Sequence, residues 1–324
     1  MFSLLFLLKI GFIVYAGFAI FTIIVLQLLS RYFNETNAKN FYKLTKFLQW
    51  AFICSVLIGA LLWIDTLILE PNWIEVKHVT IESPLFTKAD EELKIVQISD
   101  LHIEKFGFRE RSLIKKINHL KPDIILNTGD YINSREGWNE SMKVVSQLKA
   151  KKGQYSILGN TDTYFGSEAE IVDWLQKAGV VPLIVGNVKI NFDNGASLTL
   201  VGMSDKYSSA ALYGDRQMVP MAFQGVPLNE PKILMIHDPD DAKVNAIMEY
   251  QPQLVLAGHT HGGQFGIDLI RRYSEYAERS EFMAGKFMVN GFPLYVNRGI
   301  GMKTLNLRFL CRPEITVIHF KGKE

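Results

Sequence analysis

The chain has 324 residues, of which 48% are hydrophobic and 21% charged, and its formal net charge is +2. That length allows one large domain or two smaller ones, while so small a charge, with no long run of Lys and Arg, offers no phosphate-backbone track for a nucleic-acid scaffold. Cys54 and Cys311, the two cysteines, make neither a disulfide framework nor a zinc-knuckle spacing.

The apolar residues concentrate at the N-terminus. Ile10 to Leu29, IGFIVYAGFAIFTIIVLQLL, carries no charge and has the roughly 20 residues that a helix needs to cross a bilayer. A signal peptide would have a shorter apolar core followed by small residues, whereas this run is followed by Arg31-Tyr32-Phe33. Trp50 to Leu69 is a second such run, with its Asp65 near the C-terminal end, where a carboxylate is less costly than at the bilayer centre. Residues 1–70 are therefore predicted to be a membrane anchor of two transmembrane helices, about 10–29 and 50–69. The chain is accordingly expected in a cell membrane as a multi-pass protein. The loop between the runs holds Arg31, Lys39, Lys43 and Lys46 against Glu35, so the positive-inside rule puts that loop in the cytoplasm and the C-terminal region outside.

Residues 71–92, with Pro71, Pro84 and the acidic ADEE, read as a linker with at most one strand. A soluble domain, 93–324, is expected to follow. LKIVQIS, DIILNTG, QYSILG, KILMI and QLVLAG are short apolar runs of the kind that form buried strands. Helical stretches such as ERSLIKKINHLKP, NESMKVVSQLKAKKG and DAKVNAIMEYQ separate them, the first stopped by Pro122. Alternating strands and helices predict an α/β domain with its site beyond the strand C-terminal ends.

Those ends run into Asp100-Leu101-His102, Asp130, Asn160, His237 and His259-Thr260-His261, which include four of the chain's seven histidines. Carboxylate, amide oxygen and imidazole suit divalent Mn, Fe or Zn, and a pair of metals sharing a carboxylate needs about this many ligands. Side chains two apart in an extended segment share a face, so Asp100 with His102, and His259 with His261, can each converge on one centre.

SDLH, TGD, GN with Asp162, IHDPD and AGHTHGGQ, in this order and spacing, resemble the calcineurin-like dinuclear metallophosphoesterases. The resemblance covers Leu93 to Phe320 and implies a four-layer αββα sandwich. LYVNRGIGMKTLNLRFLCRPEITVI is similar to the end of the membrane-associated bacterial branch of that family, which includes UDP-2,3-diacylglucosamine pyrophosphatases; this implies the bacterial inner membrane. The resemblance also implies two divalent metal ions, one held by Asp100, His102, Asp130 and His261. The other would be held by Asp130, Asn160, His237 and His259, with Asp130 bridging and a hydroxide between the metals attacking phosphorus. Asn160, Thr161 and His237 are the residues it places nearest the catalytic step.

Two positions depart from the family pattern. Asn133 stands where GDxxD has its second Asp, and Thr161 stands where the family has the His of GNHD. A general acid is worth roughly 10²- to 10⁴-fold, most for a poor leaving group. An anhydride or other bond with a good leaving group therefore suits a site with Thr161; alternatively Thr161 itself bonds the phosphoryl group, another residue such as His119 supplies the proton, or the activity is impaired. Arg298 and Arg308, flanking RGIGMKTLNLR, are candidate phosphate clamps or framework arginines. The loop 202–217 is a candidate for the site border, and RRYSEYAERSEFMAGK, basic and aromatic, is a candidate for contact with lipid headgroups or with water alone.

The function expected from all this is a membrane-anchored metal-dependent phosphohydrolase. Its substrate would be a lipid or lipid-linked phosphate such as UDP-2,3-diacylglucosamine, with no protein partner indicated. An extracytoplasmic phosphodiesterase or phosphatase on cell-envelope phosphates is the alternative within enzymes, favoured by the loop charges because a nucleotide substrate is cytoplasmic. A non-catalytic metal-binding module is the alternative outside them, but such a module tends to lose ligands, and all seven positions here carry usable ones.

Overall fold

The computed structural model describes residues 15–322 except 18, 26, 29–34, 87–91, 194, 213, 216, 267–279 and 304, and the backbone alone of 35–41. Most of RRYSEYAERSEFMAGK thus lies outside the described residues. The chain divides into two compact units, Met1–Leu69 and Glu70–Glu324.

In the first unit, helix α1 (Glu35–Ile64) runs on through a π-helical turn, Asp65–Leu69. Tyr42–Asn72 is long and apolar enough to cross a membrane, with a mean hydropathy of 2.3 in its most apolar window. None of the residues in that window is buried, and Phe47, Trp50, Leu57 and Leu61 are among the exposed ones. The expected hairpin is reduced accordingly. Ile10 to Leu29 lies partly outside the described residues, and within them Tyr15–Val25 is a shorter apolar helix.

The second unit holds two six-stranded sheets. The first has the order β1-β12-β2-β3-β4-β5, formed by Glu75–Ser83, Glu314–Gly322, Leu93–Ile98, Ile124–Asn127, Gln154–Ser156 and Val180–Pro182. The second has the order β10-β11-β9-β8-β7-β6, formed by Gly285–Val289, Phe292–Val296, Leu254–Ala257, Lys232–Met235, Ser197–Met203 and Val185–Asn191. Strands β2, β3 and β4 run parallel, as do β7, β8 and β9. Each of the five runs expected as strands is one of these.

Adjacent side chains go to opposite faces, and the core follows from that. Ile95, Leu126 and Ile157 from the first sheet pack with Leu200, Ile233 and Leu256 from the second in one cluster. Their neighbours Val96 and Ile125 pack instead against α2 (Phe108–Leu120), α3 (Gly137–Val145) and α5 (Glu168–Lys177) through Leu113, Ile117, Val144 and Leu175. On the other outer face, Val201, Leu234 and Val255 meet Ala211 of α6 (Asp205–Leu212) and Val219 of α7 (Met218–Ala222). Between α3 and α5 lies one turn, α4 (Asp162–Phe165). Strands covered on both sides are mainly apolar, which is why they read as short hydrophobic runs.

The one strand allowed for in residues 71–92 is β1, Glu75–Ser83, paired in parallel with β12 from Glu75↔Glu314 to Ser83↔Gly322. It is an edge strand with Lys77, His78, Thr80 and Glu82 exposed, so its sequence lacks the apolar run of a central one. DAKVNAIMEYQ folds as two 3₁₀ turns, Pro239–Lys243 and Asn245–Tyr250, rather than an α-helix. The loop expected over 202–217 includes α6.

Candidate metal centre

All seven candidate residues lie in loops just past strand C-termini: Asp100 and His102 after β2, Asp130 after β3, Asn160 after β4, His237 after β8, and His259 and His261 after β9. Five have left-handed backbone, with φ of 48° at Asp100, 41° at His102, 58° at Asp130, 69° at His259 and 53° at His261. Non-glycine residues rarely adopt that region, and such strain persists only where the surroundings impose it. Here the loops are stitched together: Asp100 N donates to Gly129 O at 2.9 Å, His102 N to Asp130 O at 3.1 Å, and His259 N to the Asp100 carboxylate at 3.0 Å.

The side chains converge in two groups, Asp100 with His102 and His261, and Asp100 with Asp130 and His237, every member buried. His102 Nε2 and His261 Nε2 are 3.1 Å apart, and Asp100 Oδ1 lies 3.5 Å from the latter. In the other group, His237 Nε2 is 3.1 Å from both Asn160 Oδ1 and His259 Nδ1. Asp130 Oδ2 lies 3.5 Å from His102 Nε2 and 3.5 Å from His237 Nε2, spanning the groups.

The donor set fits a divalent cation. His237 Nδ1 donates to Thr128 O at 2.7 Å, which fixes the tautomer and leaves the Nε2 lone pair facing Asn160 Oδ1, an acceptor, in the manner of a metal-ligating imidazole. Asp130 Oδ1 accepts from Thr161 N at 2.8 Å, while its Oδ2 is buried with no hydrogen-bond partner among the described residues. A buried carboxylate oxygen left without a donor is costly, and a bound cation would remove that cost.

Charge agrees with this. Burial lowers the His102 imidazole to about 4 and the His259 imidazole to about 3, and pushes His261 well below its ordinary value; all three are neutral imidazoles at physiological pH. Burial raises Asp100 to about 6. At Asp130 burial is outweighed by His237 and His102, which hold the carboxyl well below the usual range. His237 is driven the other way, burial being outweighed by Asp130 and Asp100. A divalent cation held by these residues would supply the positive charge those carboxylates call for, in place of that proton.

Close approach explains the Gly-Asn pair. A Cβ on Gly159 would lie 2.2 Å from Asp130 Oδ1 and 2.7 Å from His237 Cε1. Gly159→Ala is therefore expected to displace both side chains and lower metal affinity by more than the roughly 10- to 100-fold typical of an outer-shell change, as read by metal titration.

The family described as calcineurin-like phosphoesterase matches residues 93–263, a range that contains all seven residues. The chain is also 30% identical over 261 residues to the uncharacterized metallophosphoesterase YkuE of Bacillus subtilis, covering 78% of this chain and 88% of that protein. This chain is a calcineurin-like phosphoesterase. It is 31% identical to the phosphodiesterase YaeI of Escherichia coli over 77% of this chain and 89% of that one. It is 27% identical to the transmembrane protein with metallophosphoesterase domain of Danio rerio, over 71% of this chain and 53% of that one. The phosphoesterase is thus an enzyme that hydrolyses phosphoester bonds, with buried residue clusters suited to divalent metal ions.

Other expected site residues of this phosphoesterase fall elsewhere. Arg298 is bound to Glu314 and, at 2.7 Å, to Glu75. Arg308 is fully buried and donates to the carbonyls of Arg298, Gly299, Gly301 and Cys311. Both are framework arginines rather than phosphate clamps. His119 is exposed in the last turn of α2. Asn133 donates to Met302 O at 3.0 Å, a bond that an ionised Asp there would be unable to make.

Asp162, part of the GN motif, has a task that the motif alone does not reveal. Its carboxylate accepts from Gly159 N at 2.9 Å, Asp130 N at 2.9 Å and Tyr131 N at 2.8 Å, tying the Asp130 and Asn160 loops together. Its place two residues after Gly159-Asn160, at the first position of α4, was the available signal.

Proposed function

We propose that this phosphoesterase is a dinuclear metal-dependent hydrolase, anchored in a membrane, acting on a membrane-resident phosphate compound whose leaving group needs no general acid. The observation that carries the dinuclear reading is Asp130 Oδ2, midway at 3.5 Å between an imidazole of each group. On this reading Asp100, His102, Asp130 and His261 hold one ion, and Asp130, Asn160, His237 and His259 the other. Bound metals supply an activated water nucleophile and polarise the phosphoryl oxygens.

The protein's own part is to fix geometry. Thr128 O orients His237, Asp162 orients the Asp130 backbone, and Thr161 N holds the bridging carboxylate. The Thr161 hydroxyl is buried without a hydrogen-bond partner among the described residues, which leaves it to donate to a phosphoryl oxygen. It has no proton to give at neutral pH as a histidine would. The missing acid points to an anhydride or an activated ester.

The apolar helix Tyr42–Asn72 supports the membrane anchor, as does the word transmembrane in the name of the Danio rerio relative. Tethering at a bilayer raises the effective concentration of a lipid-linked substrate, and a pyrophosphate of the UDP-2,3-diacylglucosamine kind has both the lipid and the good leaving group. A second reading, an envelope phosphodiester, draws support from the Escherichia coli relative's name, phosphodiesterase. Full-length protein in detergent with Mn²⁺ is expected to cleave p-nitrophenyl or anhydride substrates at least about 100-fold faster than alkyl phosphates of equal charge. Equal rates would show that Thr161 selects nothing.

A further inference from the structure

The two arginines that flank RGIGMKTLNLR are consumed by the framework, yet the segment between them passes directly over the metal-site loops. Ile300 N donates to Ser99 O at 3.0 Å and Gly301 N to Asp100 O at 2.7 Å. The approach is so close that a Cβ on Gly301 would stand 2.6 Å from the Cβ of His102, and one on Gly299 2.8 Å from that of Asp100. The next two residues are pinned from either side. Met302 O accepts from Asn133, three residues past Asp130, and Lys303 N donates at 2.9 Å to Gln264 Oε1, three residues past His261. Gln264 is itself held, its amide donating to Leu305 O and Leu307 O at 2.8 and 3.0 Å.

We propose that Lys303 is the substrate-binding cation of this centre, contributing an ammonium that takes a non-bridging oxygen of the phosphoryl group or of the adjoining phosphate. Its backbone is fixed where the loops bearing Asp100, Asp130 and His261 meet, and no carboxylate lies within ion-pair distance of its side chain among the described residues. A half-exposed ammonium on a flexible four-carbon stem, next to a buried anionic cluster and without a partner, is available for an incoming anion. Its charge already acts on His102, Asp130, Asp205, His259 and His261, disfavouring the protonated form of each. Asn133 matters to this arrangement because its amide, where the family pattern has an acid, is what ties Met302 to the Asp130 loop. The specificity that results is for substrates with additional negative charge at or beside the scissile phosphate.

The inference deepens the phosphohydrolase reading and is separable from it. The full-length protein in detergent, loaded with Mn²⁺, is titrated with inorganic phosphate by calorimetry. Lys303→Met is expected to weaken phosphate binding about tenfold or more with Mn²⁺ content unchanged, and Lys303→Arg to stay within about threefold of wild type. In turnover, KM should rise more for p-nitrophenyl phosphate, a dianion, than for bis(p-nitrophenyl) phosphate, a monoanion. Unchanged phosphate affinity in Lys303→Met overturns the assignment while wild-type hydrolysis leaves the phosphohydrolase standing. Loss of Mn²⁺ together with phosphate also overturns it, because Lys303 would then only support the fold of the site. A wild-type protein that, metal-loaded, neither binds phosphate nor hydrolyses esters removes both.

Discussion

Asp130→Ala is expected to abolish metal retention and hydrolysis together. The carboxylate has two separate tasks: Oδ1 accepts the Thr161 N–H at 2.8 Å, and Oδ2 stands 3.5 Å from an imidazole nitrogen on each side. Alanine removes a carboxylate oxygen that lies 3.5 Å from an imidazole on either side of the centre. The loss in kcat/KM should exceed the roughly 10²- to 10³-fold that follows removal of one electrostatic stabiliser, because the metals that carry the chemistry leave with it. Asp130→Asn separates charge from shape. It keeps an oxygen for Thr161 N–H but loses the negative charge, so activity should fall nearly as far while the metal-free protein melts within a few degrees of wild type. Near-equal activity of Asp130→Ala and wild type at saturating Mn²⁺ would sink the ligand assignment.

Asp162→Ala is expected to give the largest loss of stability. The side chain is buried and accepts three backbone N–H bonds, from Gly159, Asp130 and Tyr131. Alanine leaves three donors without partners in a dry site, at a cost of about 3–5 kcal/mol, and a melting temperature about 10 °C lower follows for a unit of this size. Asn should fall between, since its amide nitrogen cannot accept one of the bonds. Hydrolysis should drop more than stability accounts for, because the same bonds set the Asp130 and Asn160 loops. A thermal shift under about 1 °C for Asp162→Ala would show that these loops are held by something else.

What was legible in the sequence follows from burial. Strands β2, β3, β8 and β9 are covered on both faces, so each is a plain apolar run, and each run ends where a polar side chain is aimed into the centre. The seven converging residues could be picked out for that reason. β1 showed only as a single strand without bounds in 71–92, because an edge strand in contact with water carries charges. DAKVNAIMEYQ has helical spacing, yet Pro239 two residues before it and the left-handed Gln251 at its end bound two tight turns. The fates of Arg298, Arg308 and Lys303 depend on which long side chain meets a carboxylate or a carbonyl from a distant segment, and Glu75 is 223 residues from Arg298. Periodicity carries no record of such pairings. Asp162 was visible as part of a motif, but its role as acceptor for three amides exists only once the β3 and β4 loops are side by side.

The most direct test of the central claim is metal stoichiometry. Full-length protein purified in detergent, saturated with Mn²⁺ and freed of excess metal, should retain about two equivalents per chain, as expected of a centre with one shared carboxylate. Chelation should abolish hydrolysis, and re-addition of Mn²⁺ should restore it. Retention of one equivalent or none at full activity, or hydrolysis that survives chelation, would contradict the dinuclear account.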